Sequence, residues 1–115
     1  MKLVSLFALS LWIIFSSSLW AEDAVQSMHD EFAKGFAATN NRNREEAIQH
    51  FQLAGQFAVQ GAQWQGCLDA GNALLKLGKP SESVVLFENA VTLANGDWRV
   101  LVASAYALAS LPPDL

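Results

Sequence analysis

A chain of 115 residues that is 52% hydrophobic is long enough for one domain with an apolar core and too short for several. Seven Lys and Arg against eleven Asp and Glu give a net charge of −4, and the basic residues are scattered, which argues against a nucleic-acid-binding surface. Cys67 is the single cysteine, so a disulfide within the chain is impossible, and we expect the thiol to be buried rather than paired with another molecule.

The N-terminus has the residue order of a secretory signal peptide. Lys2 is followed by an apolar run, by Ser16 to Ser18 and by Ala21, after which the chain becomes acidic. We therefore predict a signal peptide at residues 1–21, with cleavage after Ser18 as a substitute. The alternative is an uncleaved membrane anchor, because residues 3–21 contain no charge and about 20 such residues can span a bilayer.

Export sets the expected location of the protein. Cleavage predicts a periplasmic or secreted protein that is not attached to a membrane. A lipoprotein anchor is excluded because no cysteine lies near the cleavage site. The uncleaved segment would instead predict a membrane-anchored protein.

Apolar residues recur at intervals of three and four through most of the remaining chain, which is the spacing of one helical face. The breaks between these runs contain Asn, Gly or Pro, which end helices or form turns. The pattern predicts five helices, at residues 24–40, 44–60, 63–77, 80–94 and 98–110. No useful stretch alternates apolar and polar residues, so the predicted fold class is all-α.

Several residues mark the expected helix ends. Gly61 is expected to stop the second helix, Asp97 to cap the fifth, and Pro112 with Pro113 to close it. Pro80 and Ser81 suit the start of the fourth helix, because proline's missing amide hydrogen is not needed there and a serine oxygen can cap free amides.

The chain also contains an internal repeat. Four residues recur 36 positions later: Gly35, Ala47, Phe51 and Ala54 correspond to Gly71, Ser83, Phe87 and Ala90. Small residues let helix backbones approach closely, and the phenylalanines fill the space beside them. The repeat predicts a short α-solenoid of antiparallel helix hairpins in which each hairpin contacts only the next.

In these residues the chain resembles the tetratricopeptide repeat (TPR) family, whose helix-turn-helix unit has about 34 residues. The clearest match contains Ala70, Gly71, Leu74, Leu77, Gly78, Ser83, Phe87 and Ala90. The resemblance divides a helical domain at residues 22–115 into repeats at about 28–61 and 64–97 and a capping half repeat at 98–111. Two extra residues, Ala62 and Gln63, explain the spacing of 36. Glu31 and Lys34 depart from the family, which usually has apolar residues at these positions.

The resemblance implies a scaffold whose concave face, formed by the first helix of each hairpin, binds a protein or peptide. The partner-binding residues expected on that face are Phe32, Phe36, Leu68, Asn72, Leu75, Arg99 and Tyr106. A carboxylate clamp of the kind known in the family is rejected, because Asp69 would repel a carboxylate. An apolar or amphipathic segment is the expected ligand. The simpler interpretation is that several of the aromatic residues belong to the core.

No catalytic or metal-binding pattern stands out. His29 and His50 are the only histidines, lie 21 residues apart and have no cysteine or carboxylate at metal-ligand spacing. His50 is expected to be a solvated side chain. Phosphate loops, nucleophile elbows and the H-E-x-x-H motif are all missing from the sequence. We therefore expect a protein that is not an enzyme and needs no cofactor and no metal.

Three function classes follow from these observations. The favoured class is an adaptor that binds a protein or peptide partner in the periplasm or cell envelope. The first alternative is a self-assembling homo-oligomer, because the missing second helix of the last repeat should leave Val100, Leu101, Ala105 and Leu108 thinly covered. The second alternative is a small inhibitor or immunity-type protein.

Overall fold

The computed structural model describes the backbone of residues 2–110 and the side chains of residues 21–110. Five helices follow one another: α1 Lys2–Asn40, α2 Arg44–Gln60, α3 Trp64–Lys76, α4 Pro80–Leu93 and α5 Trp98–Ala109. No strand occurs in residues 2–110. The predicted all-α fold of five helices is confirmed.

The first helix is longer than the sequence pattern predicted. Its periodic part was expected to begin at residue 24, whereas α1 begins at Lys2 and continues to Asn40 without a break. Among the residues whose side chains are described, no helix combines the length and hydropathy needed to cross a membrane. The expected closure of α5 by Pro112 and Pro113 lies outside the described residues.

The helices are joined by short connections that share one geometry. The first three connections have three residues each, and the fourth has four. Each contains a residue in the left-handed region, with φ between 54° and 81°: Arg42, Ala62, Gly78 and Asn95. The next residue's amide donates to a carbonyl five positions back, as from Gln63 to Ala58 at 2.8 Å. This is the Schellman motif, which ends a helix and lets the next one run back antiparallel to it.

Two details of the helix ends differ from the sequence prediction. Gly61 does end α2, but its φ is −86°, and the left-handed residue is the following Ala62. Ser81 does not cap α4: the N-cap is Lys79, which makes no side-chain capping bond, and Pro80 occupies the first turn. The cap predicted at Asp97 is confirmed, because its carboxylate accepts a hydrogen bond from the Arg99 amide at 2.9 Å.

The internal repeat corresponds to one helix contact made twice. A β-carbon placed on Gly35 of α1 would lie 2.8 Å from the ring of Phe51 on α2. The same atom on Gly71 of α3 would lie 2.7 Å from the ring of Phe87 on α4. In each hairpin, a phenylalanine ring of the second helix therefore packs directly against the backbone at a glycine of the first helix. This repeated contact gives the molecule its repeat-like architecture.

Two further glycines bring the hairpins together. A β-carbon on Gly55 of α2 would lie 2.9 Å from Leu86 of α4, and one on Gly66 of α3 would collide with Met28 of α1. Cys67, beside Gly66, has no exposed surface, so its predicted burial is confirmed. Burial raises the pKa of the Cys67 thiol to about 11, which keeps it protonated and unreactive at neutral pH.

Candidate functional site

The first helices of the hairpins, α1 and α3, and the final helix α5 form one side of the molecule, which we call the groove face. A first groove of about 910 Å³ runs between α1 and α3, and a second of about 880 Å³ runs between α3 and α5. Asn72 and Lys76 of α3 line both grooves. The two grooves therefore lie side by side and share a wall on α3.

An aromatic cluster forms the outer end of the first groove. The ring centroids of Phe36 and Phe51 are 5.2 Å apart in an edge-to-face arrangement, and Phe32 lies 6.2 Å from each. Phe51 is buried, but Phe36 remains 54% exposed. Such pairs favour a defined ring arrangement, so the exposed ring of Phe36 forms an apolar contact surface in the first groove.

Polar groups occupy the middle of the groove face. Asn72 is half-buried, while Lys76 and Asp69 are exposed at the groove walls. Partial desolvation of Asp69 against the first groove raises the pKa of its carboxyl. These groups provide amide, ammonium and carboxylate contacts between two apolar ends.

The second groove is lined largely by apolar side chains, most of them from α5. Leu75 is half-buried, and Tyr106 is 79% exposed, the largest exposure of any large apolar side chain in residues 21–110. Arg99 lies at the groove wall, where its guanidinium contacts the Asp97 carboxylate at 2.9 Å. Arg99 is 74% exposed, and the Asp97 carboxylate beside it offsets part of its positive charge.

Six of the seven residues predicted for binding line the two grooves, and one does not. Phe32 and Phe36 lie in the first groove, Leu75, Arg99 and Tyr106 in the second, and Asn72 in both. Leu68 lies in neither groove: it packs against the buried cluster that contains Ala58 and Cys67. Sequence reasoning missed Phe51, which comes from α2 and forms part of the first groove, although its spacing from Gly35 indicated the contact.

The opposite side of the molecule has different chemistry. A groove of about 800 Å³ between α2 and α4 is lined by Gln52, Gln56, Gln60, Glu82 and Asn89 besides aliphatic residues. Gln52 donates a hydrogen bond of 2.7 Å to the Glu82 carboxylate. None of its lining residues is aromatic. This side combines amides with the exposed aliphatic side chains of Val59 and Val85, whereas the groove face carries the exposed aromatic side chains of Phe36 and Tyr106.

One polar contact connects α1 and α2. The predicted solvation of His50 is wrong, because its side chain is 21% exposed and its Nδ1 lies 2.6 Å from the Glu31 carboxylate. Burial raises the pKa of Glu31, but the hydrogen bond with His50 and the charge of Lys34 outweigh it, so the pKa lies below its usual value. Glu46 lies 3.6 Å from Nε2. The polar residues that depart from the repeat pattern are thus paired with each other.

Comparison with known proteins identifies no relative of this chain. Among the described residues, no group of three or more His, Cys, Asp or Glu could hold a metal ion. The chain matches no protein-family model, no curated protein and no solved structure. Its function must therefore be argued from the geometry of the groove face.

Proposed function

We propose that this chain is an exported, TPR-like adaptor that binds an apolar or amphipathic segment of a protein partner on the groove face and performs no catalysis. The observation that carries the proposal is that the two grooves lie side by side and share Asn72 and Lys76. Exposed Phe36 and Tyr106 lie at the two ends of this surface. A helix or extended peptide laid across α1, α3 and α5 would contact both.

The type of ligand follows from the chemistry of the surface. Large exposed aromatic side chains are costly in water and are enriched where proteins bind one another. The polar groups in the middle would face the polar side of an amphipathic segment, and the apolar ends would receive its anchoring side chains. A strongly charged ligand fits less well, because Asp69 and Lys76 carry opposite charges.

The location and family are parts of the same proposal. The residue order at 1–21 favours export, and the twofold use of the glycine–phenylalanine contact favours a TPR-like repeat. Mass spectrometry of the protein from expressing cells tests the first point. A mature N-terminus at residue 19 or 22 supports export with cleavage, and an intact chain in the membrane fraction contradicts it.

Site-specific photocrosslinking tests the binding surface. A photoreactive amino acid at Leu75, in the second groove, should capture a partner in the compartment where the protein accumulates. The matched position is Val85 on α4, which is 55% exposed on the opposite side. Capture of the same protein with equal yield from both positions, or of nothing but this chain from Leu75, would contradict the proposal.

A purified system provides the second test. Peptides selected from a library of amphipathic helices should lose about tenfold or more in affinity on Phe36→Ser or Tyr106→Ser, since a buried large apolar side chain contributes about 1.5–3 kcal/mol. Val85→Ser is the control and should leave the affinity unchanged. Thermal unfolding of all three variants checks that the fold is retained. Equal losses in all three would contradict the assignment of the site.

A further inference from the structure

Helix α5 exposes more apolar surface than any other helix in the described part of the chain. Eight large apolar side chains are exposed in residues 21–110, and four of them lie on this helix: Trp98, Leu101, Val102 and Tyr106. The single charged residue of α5 is Arg99, which is already paired with Asp97. Of these four residues, only Val102 and Tyr106 line the second groove, so binding on the groove face does not explain why Trp98 and Leu101 are exposed.

The remaining apolar residues of α5 form a regular stripe. Trp98, Leu101, Ala105 and Leu108 are spaced by three, four and three residues, which is the period of a coiled-coil seam. On the other side of the helix, Val100, Ser104 and Ala107 are buried against the rest of the molecule. The prediction that Val100 would be thinly covered is therefore wrong, whereas Leu101, at 54% exposure, and Ala105 do face outwards. Leu108 is half-buried in a groove that α5 forms with α4. We call Trp98, Leu101, Ala105 and Leu108 the α5 seam.

We propose that the α5 seam binds the α5 seam of a second copy of this chain, with the two helices antiparallel about a twofold axis. In that arrangement Trp98 lies opposite Leu108 of the second copy, and Leu101 lies opposite its Ala105. Each large side chain then meets a smaller one, as interdigitating packing requires. A twofold axis lets one patch complete itself, so no second type of surface is needed.

The lack of charge on the seam favours a second copy over a lipid surface. The chain has a net charge of −4, yet the α5 seam contains no charged residue. Helices that lie on lipid surfaces carry Lys or Arg on their polar side, and the one Arg of α5 is paired with Asp97. A second copy presents an uncharged stripe of identical length. Glu88 of α4 lines the same groove as Leu101, Ala105 and Leu108, but it is exposed and can stay hydrated at the edge of the contact.

The length of the seam limits the strength of the dimer. Twelve residues of helix measure about 18 Å at about 1.5 Å per residue. A contact of this length lies at or below the roughly 1,200 Å² at which stable interfaces begin. The dimer should therefore be weak, with a dissociation constant on the order of micromolar or higher.

Analytical ultracentrifugation over a wide concentration range tests the proposal on the protein as it accumulates in expressing cells. The weight-average mass should rise toward that of a dimer, and Leu101→Glu should weaken association at least tenfold. The control is Val85→Glu, which adds the same charge at a position exposed to nearly the same extent, 55% against 54%. Circular dichroism should show the same helix content for both variants.

A pair of complementary charges tests the antiparallel register. Ala105→Lys alone should also weaken association, but its mixture with Leu101→Glu should form a heterodimer, because the two substituted positions lie opposite each other across the axis. A monomer at every concentration, a dimer unaffected by Leu101→Glu, or a mixture that shows no rescue would overturn the proposal. Binding of the monomer to phosphatidylcholine vesicles that is lost on Leu101→Glu would assign the seam to a lipid surface instead.

Discussion

The two hairpins use the same apolar contact but differ in what surrounds it. Across the hairpin repeat, Glu31 and His50 of the first hairpin correspond to Cys67 and Leu86 of the second. Glu31 and His50 form a half-buried hydrogen bond, whereas Cys67 and Leu86 are buried and apolar. Among the described residues, the first hairpin contacts neighbouring helices on one side, while the second lies between α2 and α5.

This difference shows which features belong to the hairpin and which to its place in the stack. The glycine–phenylalanine contact occurs in both hairpins, because closing two helices requires it wherever the hairpin lies. Polar side chains are retained at the end of the stack, where water reaches them, and are replaced where helices cover both sides. At these two positions, the neighbouring helices rather than the repeat motif account for the difference in polarity.

The largest expected effect comes from removing the phenylalanine of the central hairpin. Only 2% of the surface of Phe87 is exposed, so Phe87→Ala should destabilise the protein by about 3–5 kcal/mol. Phe51→Ala should cost less, because the half-exposed Phe36 beside it can move into the space. Urea unfolding measures both variants. Equal costs would show that the two hairpins are equally closed.

The polar contact of the first hairpin should depend on pH. Because the pKa of Glu31 is lowered in the folded state, its ionised form stabilises the protein above the unfolded-state value of about 4.3, and this contribution disappears as the pH falls through the folded-state value. Glu31→Gln should cost roughly 1–2 kcal/mol at pH 7 and much less near pH 3. Urea unfolding at the two pH values measures the difference.

The control for this prediction is Glu45→Gln, whose carboxylate is 80% exposed beside Arg44 and should matter little at either pH. A double variant, Glu31→Cys with His50→Leu, copies the second hairpin. It should recover much of the stability, because no buried polar group is left without a partner. A cost for Glu31→Gln that is independent of pH would contradict the role given to the ionised carboxylate.

Substituting alanine for Gly35 or Gly71 tests how much space each hairpin has for one additional methyl group. Overpacking costs about 1–3 kcal/mol, and the better helix propensity of alanine offsets up to about 1 kcal/mol of it. Gly71→Ala should therefore destabilise by about 1 kcal/mol, because Phe87 is enclosed. Gly35→Ala should be nearly neutral, since Phe51 can shift toward the first groove. Thermal unfolding of the two variants measures both changes. A larger loss of stability for Gly35→Ala than for Gly71→Ala would contradict this prediction.

The smallest expected effect concerns the connections between helices. Ala62 has a φ of 54°, a conformation that costs an alanine about 1–2 kcal/mol. Ala62→Gly should stabilise the protein by roughly 0.5 kcal/mol, because a more flexible unfolded chain offsets part of the gain. Gly78, in the connection within the second hairpin, has a φ of 81°, which favours glycine. Gly78→Ala should therefore destabilise the protein by about 1 kcal/mol. A change of the same sign in both variants would contradict the role given to backbone strain.

Helical periodicity predicted the number of helices and most of their ends, because each run of apolar residues closes with a recognisable turn residue. It also placed Phe36, Asn72 and Tyr106 on one side of the molecule. It did not separate Leu68, which packs against a buried cluster, from the residues that line the grooves, since periodicity gives the direction of a side chain around its helix and not the distance to the next helix. The same limit explains why the pairing of His50 with Glu31 was missed.

Cys67 offers a way to observe the motions of this stack directly. The thiol lies in the cluster that joins the hairpins, without exposed surface, and its raised pKa makes it slow to react. A thiol reagent can modify it only when the helices separate far enough to admit the reagent. The labelling rate of the native protein therefore measures how often the hairpins separate. A ligand that spans α1 and α3 should slow that rate.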